Sequence, residues 1–427
     1  MNCNIRGMEL TRAYKFRIYP DTKRQAEIDE RLILAQQFYN KILEKSITSY
    51  KDGKTKVSMA QFNRFVKEII QDDSKYLKLY SQTRCEIEYR LMKAYQNFFR
   101  RCKSGKGKVG FPRFKSQGRY DSLTYPQDNG SFKIEKKRKE DRLRVSRIGT
   151  MKIELHRPIE GQIKTMTIKR EAGKYYAIFS AVHDCTIPQV KDTNTVGIDV
   201  GLTTFAVFSD GTRIEKPRFA RNKEKKLARW QRIVARRTTK EGRKKAILQS
   251  HNRGRAIEKL GRTWQEVNNQ TNDYLQKITT KLVNLGYTSF AMEKLQIQNM
   301  MKDHKVARSI SGASWSKFKE LLSYKAESAG MEVYEVNPTD TSRTCSNCGN
   351  IQEMPLSERT FLCIKCGMQK DRDYNASINI LKRATAGHAG RNASGDATST
   401  IQLVSQVASV NQEHTLHLLG AGEAHTL

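Results

Sequence analysis

Two pairs of cysteines constrain this chain more than any other feature: Cys345-Ser-Asn-Cys348 and Cys363-Ile-Lys-Cys366, each followed by a glycine, Gly349 and Gly367. A two-residue spacer is the turn geometry by which two knuckles present four thiolates tetrahedrally to zinc. The gap between the pairs is short enough for one hairpin. With all four positions taken by protein such a site is closed, so a single Zn²⁺ would hold a lobe together without doing chemistry. The remaining cysteines, Cys3, Cys85, Cys102 and Cys185, are isolated and carry no assigned role. The opening MNCNIRGMELTRAYKF has no continuous apolar core, so no secretory signal is expected. In the reducing cytoplasm that this implies, paired cysteines argue for metal rather than disulfide.

Charge narrows the partners. Among 427 residues, Lys and Arg outnumber Asp and Glu by 78 to 44, a net charge of +34 that strains a compact chain unless a polyanion neutralises it. No stretch approaches the roughly 18 apolar residues of a membrane span, and the basic residues fall in several blocks rather than along one amphipathic helix. Nucleic acid is the expected partner, and no membrane is.

Along the chain, Ala13–Tyr19 (AYKFRIY) alternates apolar and basic and predicts a half-exposed strand ending at Pro20. Three helices follow: one capped by Asp21, one capped by Ser58, and one over Gln82–Arg101 with Ile87, Leu91, Tyr95, Phe98 and Phe99 on its apolar stripe. KSGKGKVGFPRFK (Lys103–Lys115) interleaves basic residues with Phe111 and Phe114, so Phe111 and Arg113 are candidate nucleic-acid contacts. A solvated basic loop anchored by two buried phenylalanines is the alternative. Five short strands are expected between Ser131 and Val182, with a hairpin at Gly173. Joined by the early strand, they make a small β-barrel interrupted by the helical insertion. The pattern then turns mixed α/β, with strands at Val196–Val200, Thr203–Phe208 and Thr288–Met292. A densely basic helical stretch, Lys216–Arg262, is expected to lie along a polyanion or in solvent, with Arg229, Arg232 and Arg236 as candidate contacts.

Three acids stand where acids are costly. Asp199 lies inside VGIDVG, Glu293 ends SFAME, and Asp373 sits in DRDYNAS, where a helix begins. Carboxylates from two strands and a helix start can converge on two Mg²⁺ ions that activate a water and stabilise the leaving 3′ oxygen. Singly, each acid can equally end a strand in solvent or cap a helix; the order of elements favours a ribonuclease-H-like fold. GIDVG also resembles the first phosphate turn of actin-like ATPases, but the second glycine-rich phosphate loop and adenosine pocket that such a protein needs are not found.

Taken together, GIDVGLTTFAVFSDG, AMEKL with Asn299-Met300 just after it, the cysteine pairs and DRDYNASINI resemble the transposon-encoded TnpB nucleases, relatives of the type V CRISPR effectors. KVGFPRFK and SGASWSKFKELLSYKAESAG are similar to that family too. The likeness runs from about Ala13 to Ala384. It implies a multi-domain α+β protein: a wedge β-barrel (1–20 and 119–190) with a helical recognition insertion (21–118), and a RuvC-type ribonuclease-H domain (191–340 and 371–384). A zinc-ribbon target-nucleic-acid-binding lobe (341–370) interrupts the last, and 385–427 is expected to be a disordered tail.

The resemblance further implies a prokaryotic, nucleoid-associated enzyme. It would carry a guide RNA from the transposon end and cut double-stranded target DNA beside a short flanking motif. Asp199, Glu293 and Asp373 match the family's catalytic positions, leaving Asp371 as a capping or supporting residue and Arg372 as a candidate for neutralising developing charge. A nuclease-inactive guided regulator and a strand-joining transposase are the rival readings. The flanking motif is expected near Gln82 and Lys78 and near Tyr125-Pro126-Gln127. Protein partners, guide sequence and oligomeric state are not legible.

Overall fold

The structure, a computed structural model, describes residues 6–393 apart from 54–56, 106–109, 117, 128–129, 189, 191–193, 239–249, 296–299, 301–311 and 356–357. The chain folds into two units. One is built from Glu9–Asp184 and Arg232–Arg262, the other from Cys185–Gln231 and the chain from Thr263 onward.

In the first unit, strand β1 (Arg6–Tyr19) turns Tyr14, Phe16 and Ile18 inward and leaves Lys15 and Arg17 outside, as the alternation predicts. Both expected caps form. The Asp21 carboxylate accepts the Arg24 N–H at 2.8 Å to start α1 (Thr22–Lys51), and the Ser58 hydroxyl accepts that of Gln61 to start α2 (Met59–Asp72). Helix α3 (Ser81–Ser104) ends at Gly105, whose φ of 60° suits a residue without Cβ. Phe38, Phe62 and Tyr95 fill the space between the three helices.

The strands are β2 (Ser122–Tyr125), β3 (Phe132–Glu135), β4 (Arg142–Val145), β5 (Gly149–Glu154), β6 (Gln162–Glu171) and β7 (Lys174–Ile187). With β1 they make a seven-stranded sheet in the order β2-β6-β7-β1-β5-β4-β3. The sheet is nearly closed: Tyr125 on one edge strand donates to the Ser146 carbonyl, and Ser131, just before the other edge strand, donates to the Gln127 carbonyl. Ala172 and Gly173, both at positive φ, make the tight β6–β7 hairpin. Strand β2 lies before the stretch in which the sequence reading expects strands.

The second unit holds a five-stranded sheet of β8 (Thr195–Val200), β9 (Thr204–Phe208), β10 (Arg213–Glu215), β11 (Ser289–Glu293) and β12 (Glu332–Val336), in the order β10-β9-β8-β11-β12. The first three strands run antiparallel as hairpins; β11 is parallel to both β8 and β12. Along the chain follow helices α4 (Phe219–Asn222), α5 (Glu224–Arg236), α6 (His251–Val283), α7 (Trp315–Ser328) and α8 (Arg372–Ala393), with Arg232–Arg236 of α5 and His251–Arg262 of α6 belonging to the first unit and the short strands β13 (Thr360–Leu362) and β14 (Gln369–Asp371) just before α8. Phe205, Phe290, Phe318 and Leu275 form the core.

Two expectations need correction. The basic stretch is not one solvent-facing helix: from His251 it becomes the start of α6, which buries Ala256 and Leu260, so its charged face is backed by an apolar one. The chain beyond Ala384 is not all tail, since α8 continues to Ala393. No helix among the described residues is long and apolar enough to cross a membrane.

Candidate active site and cysteine cluster

Strands β8 and β11 pair in parallel through Ile198 and Met292, and one residue further along stand Asp199 and Glu293. Two carboxylates are thereby brought side by side at the ends of neighbouring strands. Asp373 arrives from the first turn of α8, which packs across β8. That approach depends on Gly197: a Cβ there would lie 2.1 Å from the Ser377 carbonyl oxygen and 2.8 Å from the Leu381 nitrogen. Gly201 serves the turn from β8 to β9, where a Cβ would stand 2.8 Å from the Thr204 carbonyl oxygen.

Electrostatics show the crowding. The Asp199 carboxyl is pushed well above the usual carboxylate range, first by desolvation and then by the negative charges of Glu293 and Asp373. Glu293 is also raised by burial, against the opposing effect of a hydrogen bond from Thr341 and the positive charge of Arg383. Asp373 lies between two guanidinium groups, Arg372 Nε at 3.4 Å and Arg359 Nη1 at 3.7 Å. Asp371 caps α8: its Oδ1 accepts the N–H groups of Asp373 and Tyr374 at 3.1 and 3.0 Å, and its Oδ2 pairs with Arg213.

Half-buried acids drawn together in this way suit divalent cations. Their oxygens are not all within 4.8 Å of one another, a span met among the described residues only by the four cysteines.

The cysteines fit zinc closely. Cys345 and Cys366 Sγ are 3.7 Å apart, Cys348 and Cys363 Sγ 3.6 Å, and a tetrahedron with Zn–S of about 2.3 Å requires edges of about 3.8 Å. The two knuckles are built alike. Gly349 N–H donates to the Cys345 carbonyl and Gly367 N–H to the Cys363 carbonyl, both glycines at φ of 70–75°. The thiols share protons: the Met368 backbone N–H and then the Asn347 amide hold Cys366 down to about 6, while burial and the neighbouring sulfurs push Cys348 up to about 11.

The candidate nucleic-acid contacts divide. Arg113, Arg229, Arg232 and Arg236 are exposed, with Leu227 the buried anchor of α5. Phe111 packs into the helical core, 4.5 Å from the Phe98 ring, while Phe114 is 55 % exposed. Tyr125 is a core residue at 2 % exposure, stacked on Tyr80, so no base can reach its ring. Lys78 is paired with Glu30 at 2.6 Å, and Gln82 donates to Gln127 at 3.1 Å. The sequence reading missed Thr341 and Arg359, both of which touch the acids; Thr341 stands four residues before the first cysteine, in a turn with no periodicity to flag it.

Three family models match successive parts of the chain. Residues 178–304 match the OrfB family of IS605 elements, described as "Probable transposase", and 315–380 match the "Cas12f1-like, TNB domain". Residues 8–55 match a "Helix-turn-helix domain" of the same OrfB family, although here they form strand β1 and the single long helix α1. Two relatives carry the name "Putative RNA-guided DNA endonuclease". The one from Streptomyces pristinaespiralis is 28 % identical over 89 % of this chain and 91 % of its own length. The one from Escherichia coli K12 is 27 % identical over 90 % and 94 %. In fold, the chain resembles Cas12f1 from a complex with guide RNA and target DNA, at a TM-score of 0.51 and 13 % identity over 87 % of this chain and 98 % of that one. With relatives of matching length and three family matches in one succession, the chain is similar throughout to the OrfB proteins of IS605 elements.

Proposed function

We propose that this protein is a metal-dependent, RNA-guided DNA endonuclease in which Asp199, Glu293 and Asp373 hold the catalytic ions. The observation that carries the reading is the crowding of Asp199 by the other two acids at the open end of β8. The names of the full-length relatives supply the substrate class, a target DNA chosen by a guide RNA. The net charge of +34 is what a chain that holds both nucleic acids needs.

The finer assignments follow. The five-stranded sheet, three hairpin strands then two parallel ones, supports a RuvC-type ribonuclease-H domain (191–340 and 371–384). The nearly closed seven-stranded sheet is the wedge barrel (1–20 and 119–190), 21–118 the helical recognition domain, and 341–370 a zinc-ribbon lobe. Mg²⁺, when bound, would supply a polarised water and Lewis-acid stabilisation of the leaving oxygen. The chain's own residues prepare for this. Asp371 fixes the start of α8 so that Asp373 faces the strand ends, and Thr341 fixes Glu293. Arg372 and Arg359 add positive charge beside Asp373, where a phosphodiester would be drawn.

The test is a plasmid-library assay. The gene is expressed with its native 3′ flank, the ribonucleoprotein is purified, and Mg²⁺ is added with a guide-matched target beside randomised flanking sequence. Cutting confined to one flank is expected. Binding without cutting would instead make the chain a guided regulator, and purification without RNA would remove the guided reading.

A further inference from the structure

The acid Glu293 is held by a residue of the cysteine-bearing segment. Thr341, 2 % exposed, donates its hydroxyl proton to Glu293 Oε1; among the described residues the hydroxyl has one other acceptor within reach, the Pro338 carbonyl at 3.1 Å. A hydroxyl has one proton, and a carboxylate is a stronger acceptor for it than a neutral carbonyl. Thr341 is itself anchored from α8: Asn379 Nδ2 donates to the Thr341 carbonyl at 2.9 Å and to that of Thr344 at 2.7 Å. Asn375 donates to Thr344 and accepts the Ser346 N–H at 2.9 Å. Both asparagines are buried, on the helix whose first turn carries Asp373.

The geometry points to Thr341 as a positioning residue for Glu293, fixing one carboxylate oxygen so that the other is presented to a divalent ion. Asn379 and Asn375 tie this hydroxyl to the helix that carries Asp373. A ligand fixed in this way loses less freedom on binding, and releasing such a partner typically costs about 10–100-fold in metal affinity. This rests on the endonuclease reading above, and the experiment separates the two.

Guided cleavage is measured against Mg²⁺ concentration for the wild type, Thr341→Val and Thr341→Ser, with melting temperature and target binding followed in parallel. Valine preserves the branched shape and removes the proton; serine keeps the proton. Thr341→Val is expected to raise the half-saturating Mg²⁺ by about tenfold or more while binding target as the wild type does, and Thr341→Ser to restore the wild-type curve within about twofold. Isothermal titration of Mn²⁺ into each protein reads the same difference without cleavage. If the valine variant does not fold, Thr341→Cys replaces it, the thiol being a far weaker donor. Superimposed metal curves for the wild type and the variant lacking the hydroxyl, or equal damage from serine, would overturn the proposal. A wild type that binds its target and never cuts would overturn the endonuclease reading, while the Mn²⁺ titration would still decide the role of Thr341.

Discussion

Gly197 on β8 lies so close to Ser377 on α8 that a single added methyl would sit 2.1 Å from the Ser377 carbonyl oxygen. The neighbour is helix backbone and cannot swing aside, so α8 itself would have to lift. Gly197→Ala is therefore expected to cost about 3 kcal/mol, read as a lower denaturation midpoint. Because α8 carries Asp373, cleavage should fall further than stability at temperatures where the variant remains folded. A variant with wild-type cleavage would show that the helix position is not what sets the third acid.

Asp199 destabilises the fold in return for its place in the site. Replacing it with Asn removes a charge that burial and two neighbouring acids oppose. In EDTA at pH 8, Asp199→Asn is expected to stabilise the fold by on the order of 1 kcal/mol, read as a higher melting temperature, and to abolish cleavage while guide RNA and target binding persist. Residual cutting above about one per cent would place the chemistry on other residues.

Glu88 on α3 gives a pH dependence remote from the site. Its side chain is 3 % exposed, and burial raises its carboxyl to about 7 against the partial opposition of Arg84. Between the ordinary glutamate value and 7 the folded protein holds a proton that the unfolded chain has released, so stability falls as pH rises through that window. Glu88→Gln keeps the neutral shape. It should match the wild type at pH 4 and exceed it by about 2–3 kcal/mol at pH 8, measured by urea unfolding at both values. A constant offset across the range would show that the carboxyl is not protonated in the folded state.

Phe111 and Phe114 look equivalent in GFPRF, yet the fold separates them. Phe111 meets Phe98, Tyr95 and Tyr50, so Phe111→Ala should cost about 3 kcal/mol and leave RNA affinity per folded molecule intact. Phe114 is exposed beside Arg113, and Phe114→Ala should leave the melting temperature unchanged while weakening nucleic-acid binding by about 1–3 kcal/mol, as loss of a stacked base does. Filter binding and a melting curve on both variants decide it; equal effects would make the loop merely structural.

What the sequence made legible follows from how local each signal is. Asp21, Ser58, Gly173 and the cysteine knuckles act within a few residues, and they stand where the pattern puts them. Asp199 and Glu293 announced themselves as charges inside one apolar strand and at the end of another, though only strand pairing shows them to be neighbours. Thr341, Arg359 and the two α8 asparagines have no such signal, because their partners are 14 to 48 residues away and their types are ordinary. The basic stretch misled for a related reason. Its charges dominate composition, while Ala256 and Leu260 are too sparse for a window to register as a buried face.

Removing zinc should separate two kinds of order in the cysteine segment. The hairpin of β13 and β14 is three residues a side, and the cluster of Cys345, Phe361 and Cys363 with Met354 and Met368 is too small to fold without metal. The stretch from Thr341 to Ser346 has a second hold, the hydrogen bonds to Asn375 and Asn379 from α8. In Cys366→Ser, or after chelation, amide hydrogen exchange is expected to lose protection from Asn347 to Lys370, whereas the Ser346 amide stays protected through Asn375. The seven-stranded sheet, with its own core, should keep its exchange pattern. Protection lost evenly from Thr341 onward would mean that the metal, and not α8, holds the segment that bears on Glu293; protection kept throughout would mean that the knuckles fold without an ion.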